Sequence, residues 1–174
     1  MFSVESCSIP DGALLNNYLR EGTYTDCYVT DIRGSVSHVQ YVLAFYTTRV
    51  FKLERLILKL AVSRPSTDAE AKQLATGSID EFAAWDVEAR SDNQLLMCDV
   101  QRRTRSWLMV VPIESDSGMR TRLYFGSAVV PVKNSRTGKV TLGFVFRALL
   151  GFHRVYSAVL LSAARSRLEK HNVL

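Results

Sequence analysis

TRSWLMVVPI (Thr104–Ile113) and TRLYFGSAVVPV (Thr121–Val132), separated by the turn residues Ser115-Asp116-Ser117-Gly118, decide the fold class. Both runs are rich in β-branched and aromatic residues and repeat with a period of two, as strands do. Working back along the chain, Gln94–Val100 and Phe82–Arg90 have the same character and are joined by Ser91-Asp92-Asn93. These connections are too short for crossover helices, so the strands read as an antiparallel meander.

Further towards the N-terminus, Tyr24–Ile32 reads as one more strand, giving about five in all. Ile9 to Arg20 reads as a short helix after the Pro10-Asp11-Gly12 turn. Between Tyr24–Ile32 and the meander the period is helical. Val36, Val39, Tyr41, Val42, Phe45 and Tyr46 share one face, and Val50, Leu53, Leu56, Ile57 and Leu60 another. Thr47-Thr48 marks a break between two helices, and Arg64-Pro65 ends the second. Thr67 and Glu70 form a capping box that opens a third helix, which Gly77 closes.

Beyond the meander, Asn134 to Gly138 is a turn, followed by a short strand. Leu142 to His171 reads as one long helix. Its stripe runs through Leu142, Phe146, Leu149, Phe152, Tyr156, Val159 and Ala163, widened by Val145, Leu150, Val155 and Leu160. The whole is an α+β chain, a single domain over residues 1–174, with a curved antiparallel sheet wrapped around the long C-terminal helix.

Composition narrows the function classes. With 47% apolar and 22% charged residues in 174, the chain can build a core without disulfides. Cys7, Cys27 and Cys98 lack the close spacing of metal ligands and read as reduced thiols. No metal or cofactor is expected. The segment Met1 to Ser6 has no basic region followed by an apolar run, so a signal peptide is not expected. Arg147, His153 and Arg154 interrupt the longest apolar stretch, Leu142 to Leu161, which argues against a membrane span and for a cytoplasmic protein.

The charge is uneven. Residues 1–99 carry nine Lys+Arg against fourteen Asp+Glu, net −5, and residues 100–174 carry thirteen against three, net +10. Either the basic half meets an anionic partner, or acidic and basic strands lie side by side and pair.

The order strand, helices, meander, long helix is that of the helix-grip architecture. The chain resembles the START-like, or birch-allergen-like, superfamily, and within it a bacterial domain of unknown function. The likeness lies in Phe82-Ala83-Ala84-Trp85-Asp86-Val87-Glu88, Arg103-Thr104-Arg105-Ser106-Trp107-Leu108, Thr121-Arg122-Leu123-Tyr124-Phe125-Gly126 and the terminal helix. It implies a cavity between sheet and helix for an apolar or amphipathic small molecule. It also leaves open an enzyme of the polyketide cyclase, aromatase or hydrolase type.

Alternation sorts the side chains. Ala83, Trp85, Val87 and Ala89 share one face of their strand, against Ala84, Asp86, Glu88 and Arg90. Leu123, Phe125, Ser127 and Val129 oppose Arg120, Arg122 and Tyr124. With the apolar sets turned to the helix, Trp85, Trp107, Phe125, Phe152 and Tyr156 are the candidate ligand-binding residues. Arg105, in phase with Trp107, would stand at the rim and pair with a ligand carboxylate or phosphate, or else with Asp86, Glu88 or Asp99 of neighbouring strands. No nucleophile elbow, zinc helix or phosphate loop is present. His153 is the one histidine with a view of a pocket, alongside Arg105 and Tyr156 as ionisable groups for an enzyme. Arg102-Arg103-x-Arg105 and Arg120-x-Arg122 are basic, but only Tyr124 offers a base-stacking aromatic, which weighs against nucleic acid.

Overall fold

The computed structural model describes residues 4–53, 66–115, 118–133, 140–141 and 144–171, with the side chains of 115, 132–133, 140–141, 144–153 and 171 excepted. Strands are β1 (Glu5–Ser6), β2 (Tyr24–Arg33), β3 (Glu81–Phe82), β4 (Trp85–Ser91), β5 (Gln94–Asp99), β6 (Thr104–Ser115), β7 (Gly118–Val129), β8 (Val132–Lys133) and β9 (Val140–Thr141). Seven form one sheet in the order β1-β2-β7-β6-β5-β4-β3, every pair antiparallel, while β8 and β9 pair separately. The meander expected over residues 82–132 is therefore present. Five strands become seven in the main sheet because β1 and β3 are two residues long, below the reach of periodicity.

The helices follow their caps. The helix α1 (His38–Tyr46) opens on Ser37, whose hydroxyl accepts from Gln40 N while the Gln40 side chain accepts from Ser37 N. The break falls at Thr47-Thr48, and the chain is helical again over residues 49–53. The continuation of that helix, with Leu56, Ile57, Leu60 and the Arg64-Pro65 stop, lies outside the described residues. The next helix, α2 (Asp68–Thr76), has the Thr67–Glu70 capping box and ends on Gly77 at φ 76°. The segment expected to be a short helix after Pro10-Asp11-Gly12 is a 3-10 turn, Leu14–Tyr18. The C-terminal helix α3 (Phe144–His171) lies against β2, β7 and α1. The Asn134–Gly138 turn and Leu142 lie outside the described residues.

The sheet is covered on both faces. On one side Tyr28, Ile32, Leu95, Met97, Leu108, Val110, Leu123 and Phe125 pack beneath α1, α2 and α3. On the other, Cys27, Leu96, Trp107, Met109 and Ala128 pack beneath Ala13, Leu15 and Tyr18 of the N-terminal segment. Burial of both faces corrects several side-chain assignments. The run Phe82–Arg90 is two strands, because Ala83 adopts a left-handed φ of 55° and folds Phe82 back onto Trp85. A bulge between Val87 and Ala89 then flips the phase, so Val87 stays with the helix-side core and Ala89 joins the opposite one. On α3 the buried line is Ser157, Leu160, Leu161, Ala164 and Leu168, whereas Val155 and Val159 are exposed. Apolar residues surround that part of the helix on all sides, so hydrophobicity alone did not choose the stripe. On α1, His38 is buried and Val39 exposed.

Candidate functional site

The space between α3, α1 and the sheet is not completely filled. A cavity of about 170 Å³ remains, with Thr104 and Ser106 of β6 and Phe125 and Ser127 of β7 on the sheet side. Tyr156, Ser157 and Leu160 face it from α3, and Phe45, Phe51 and Trp85 complete the wall. The aromatic part is rigid: Phe45 packs on Phe125 at 5.0 Å and on Phe51 at 5.9 Å between ring centroids.

Strand register makes the sheet side polar at one end. Ser106 lies opposite Ser127, and Ser127 opposite Asp26. The Asp26 carboxylate accepts from Ser127 N at 3.1 Å and Ser127 Oγ at 2.6 Å, and its second oxygen accepts from the Tyr24 hydroxyl at 3.1 Å. Burial pushes the Tyr28 phenol up to about 12, with the negative charge of Asp26 adding to it. The phenols here are therefore neutral donors, and Asp26 is held by hydrogen bonds behind the Ser127 wall.

The α3 side contributes one polar atom of a different kind. Ser157 is 1% exposed and its Oγ has no hydrogen-bond partner. A buried hydroxyl left unpaired costs about 1–3 kcal/mol. The residue is part of the cavity wall on the α3 side.

The six candidate residues separate as follows. Trp85, Phe125 and Tyr156 meet at the cavity. The side chain of Phe152 lies outside the described residues, as does that of His153. Trp107 is fully buried on the opposite face, where its Nε1–H donates to Gln94 Oε1 at 2.9 Å. Arg105 touches the cavity wall between Thr104 and Ser106, but its guanidinium is turned to the opposite face with Trp107. There it pairs with Glu88, Nη2 to Oε2 at 3.0 Å, and lies 4.6 Å from the centre of the Tyr18 ring. The Tyr18 hydroxyl donates to the same Glu88 carboxylate. The pairing with Glu88 is one of the two roles open to Arg105 in the sequence, and it follows from β6 showing its Thr104-Ser106-Leu108 side to α3.

Sequence reasoning missed Phe45, visible as a helical apolar position but not tied to the pocket, and Phe51, which lay in neither helical stripe. It also missed the serines: Ser127 was placed on the correct face without a role, and Ser157 carried no signal on an apolar helix. Cross-strand pairing accounts for part of the charge asymmetry. Arg122 is bidentate to Asp31, directly opposite on β2, at 2.8 and 3.0 Å.

Chemically, the arrangement offers an aromatic wall, hydroxyl groups at both sides and no unpaired charge on the lining side chains described. Among the described residues no group of three or more His, Cys, Asp and Glu side chains is placed to hold a metal ion, and no helix is long and apolar enough to cross a membrane. No protein-family model matches the chain, and no curated protein matches it significantly.

Proposed function

We propose that this protein binds a small, uncharged, single-ring molecule carrying one hydroxyl or carbonyl group, held between α3 and the sheet of a helix-grip, START-like fold. The observation that carries the reading is Ser157: a buried residue, its hydroxyl without a partner, on the wall of a cavity that five aromatic rings also line. Binding supplies the hydrogen bond that the free protein lacks. The apolar ring and single polar group make the ligand amphipathic in the sense the resemblance implies.

Size and charge narrow the class. A cavity of about 150 Å³ accommodates benzene, so 170 Å³ suits one ring with a small substituent. An anionic ligand would face Asp26 behind Ser127, and the guanidinium of Arg105 is already engaged by Glu88. The helix-grip assignment is supported by the strand order, by the helices inserted between β2 and β3, and by α3 lying on β2 and β7. Basic-surface binding has less support, since Arg105 and Arg122 are both paired.

The test uses the two tryptophans. Trp107→Phe leaves Trp85, on the cavity wall, as the single tryptophan. Titration with p-cresol and benzaldehyde is expected to give saturable changes in Trp85 emission, while benzoate and 2-naphthol give none. Absence of any saturable response to all four compounds overturns the binding reading, and tight binding of 2-naphthol or benzoate overturns the ligand class.

A further inference from the structure

Two of the three cysteines, 20 residues apart in sequence, meet in space. Continuing the β1–β2 register from Glu5↔Val29 and Ser6↔Tyr28 sets Cys7 opposite Cys27. Cys7 N–H donates to Cys27 O at 2.9 Å, so the ladder holds there too. The two sulfur atoms lie 3.4 Å apart, and both thiols are free. Directly opposed residues of an antiparallel pair have Cα atoms about 4.5–5.5 Å apart. That lies within the range of about 4.4–6.8 Å that a disulfide spans.

We propose that Cys7 and Cys27 form a reversible oxidation site, a dithiol that closes to an intramolecular disulfide when it meets a hydroperoxide. The more exposed Cys7 is the attacking group, and the buried Cys27 is the resolving one. In the first step the Cys7 thiolate displaces hydroxide from hydrogen peroxide, which is reduced, and becomes a sulfenic acid. In the second, the Cys27 sulfur attacks the Cys7 sulfur, the S–S bond forms, and the sulfenic oxygen leaves as water with the Cys27 proton. Two electrons pass from the thiol pair to one peroxide, and a small-molecule thiol returns them.

The surroundings suit this division of labour. The hydrogen bond with Cys27 lowers the Cys7 pKa, and the positive charge of Arg122 acts in the same direction against the cost of burial. Cys27 itself is pushed up by its hydrogen bond to Cys7 and by burial, so it keeps its proton until the second step. Thiolate character combined with access is what makes a cysteine reactive. Cys98 is buried, and burial raises its pKa, so it is the bystander.

Closure would link the two ends of the N-terminal segment that covers Trp107. The ring from Cys7 to Cys27 contains the 3-10 turn, with Leu15 and Tyr18 packed on the opposite face. Crosslinking a loop of this size removes freedom from the unfolded chain. Oxidation is therefore expected to hold this cover in place without altering the α3 side.

The full-length protein is treated with one equivalent of hydrogen peroxide, and its thiols are counted and mapped. The expected result is loss of two of three thiols, a monomer lighter by two hydrogens, and a Cys7–Cys27 linked peptide that dithiothreitol reverses. Tm is expected to rise by roughly 5 °C on oxidation and to return on reduction. Cys98→Ser should leave all of this unchanged, whereas Cys27→Ala should give Cys7 sulfenic or sulfinic acid with no crosslink. Alkylation of Cys7 by iodoacetamide at pH 7 should run at least tenfold faster than that of Cys98. Retention of all three thiols, oxidation of Cys98 first, or intermolecular dimers as the main product would each overturn the proposal.

Discussion

Glu88 and Arg105 are joined across the face of the sheet turned away from α3, Nη2 to Oε2 at 3.0 Å and Nε to Oε2 at 3.1 Å. The bulge between Val87 and Ala89 lies at Glu88, and the Arg105 side chain is only 9% exposed. The pair therefore latches the N-terminal segment, through Tyr18, to β4 and β6. Arg105→Met is expected to lower stability by about 2–3 kcal/mol. That is less than for a wholly buried pair, because the Glu88 side chain keeps 26% of its exposure. Urea denaturation measures the loss. Titration of p-cresol into the variant should show unchanged affinity, whereas a ligand anchor would lose tenfold or more.

Gly126 is the second point at which the opposite face is tightly specified. A Cβ there would come within 2.7 Å of Leu15 Cδ2, 3.0 Å of Asp26 O and 3.0 Å of Trp107 Cε3. The Leu15 methyl can move, but the Asp26 carbonyl belongs to β2 and cannot move without breaking its ladder. Gly126→Ala is expected to cost about 2 kcal/mol. Adding Leu15→Ala should recover none of it, because it opens a cavity of its own and leaves the carbonyl contact in place. Chemical denaturation of the single and double variants checks both points.

How far the sequence revealed this molecule depends on which residues carried a signal. The strands Gln94–Asp99, Thr104–Ser115 and Gly118–Val129 were legible because period two runs unbroken through them. The Thr67–Glu70 cap and the Gly77 stop were legible because their side-chain chemistry is local. The face of Trp107 was not. Leu108 and Val110 point one way and Trp107 and Met109 the other, and a sheet covered on both sides gives alternation nothing to choose by. Nor was the Phe82–Trp85 reversal, since alanine rarely takes the left-handed conformation found at Ala83. Trp85, Phe125 and Tyr156 still reached the cavity: the Leu123–Phe125 phase was right, and Trp85 and Tyr156 kept the helix side although other positions of their elements shifted.

His38, the first residue of α1, supplies a pH dependence. Its Nε2 is buried without a partner, and burial, with Arg90 adding like charge, holds its pKa down from 6.5 to about 4. Between these values the unfolded chain takes up a proton that the folded chain refuses. Stability therefore falls as pH drops from about 6.5 to about 4, by up to about 3 kcal/mol. Below pH 4 this contribution changes no further, and above 6.5 it is constant because both states are neutral. His38→Phe should flatten that part of the stability profile, as measured by urea unfolding at half-unit steps. An unchanged slope would place the acid sensitivity elsewhere.

Ser157 offers the sharpest separation of structure from function, because the two readings predict opposite signs. If its hydroxyl exists to meet a ligand, the free protein carries an unsatisfied polar group, and removing it should help. Ser157→Ala is expected to stabilise the unliganded protein by about 1 kcal/mol, part of it from the better helix propensity of alanine. Ser162, exposed on the same helix, gives the propensity part alone as Ser162→Ala. The difference between the two variants isolates the buried hydroxyl. Affinity for p-cresol should move the other way in Ser157→Ala, weakening about fivefold for the loss of roughly 1 kcal/mol of hydrogen bonding, and should not move in Ser162→Ala. A serine that merely packs would instead lose stability on truncation and leave the titration unchanged. Such a result would leave the cavity as a packing defect beneath α3 with no ligand to fill it.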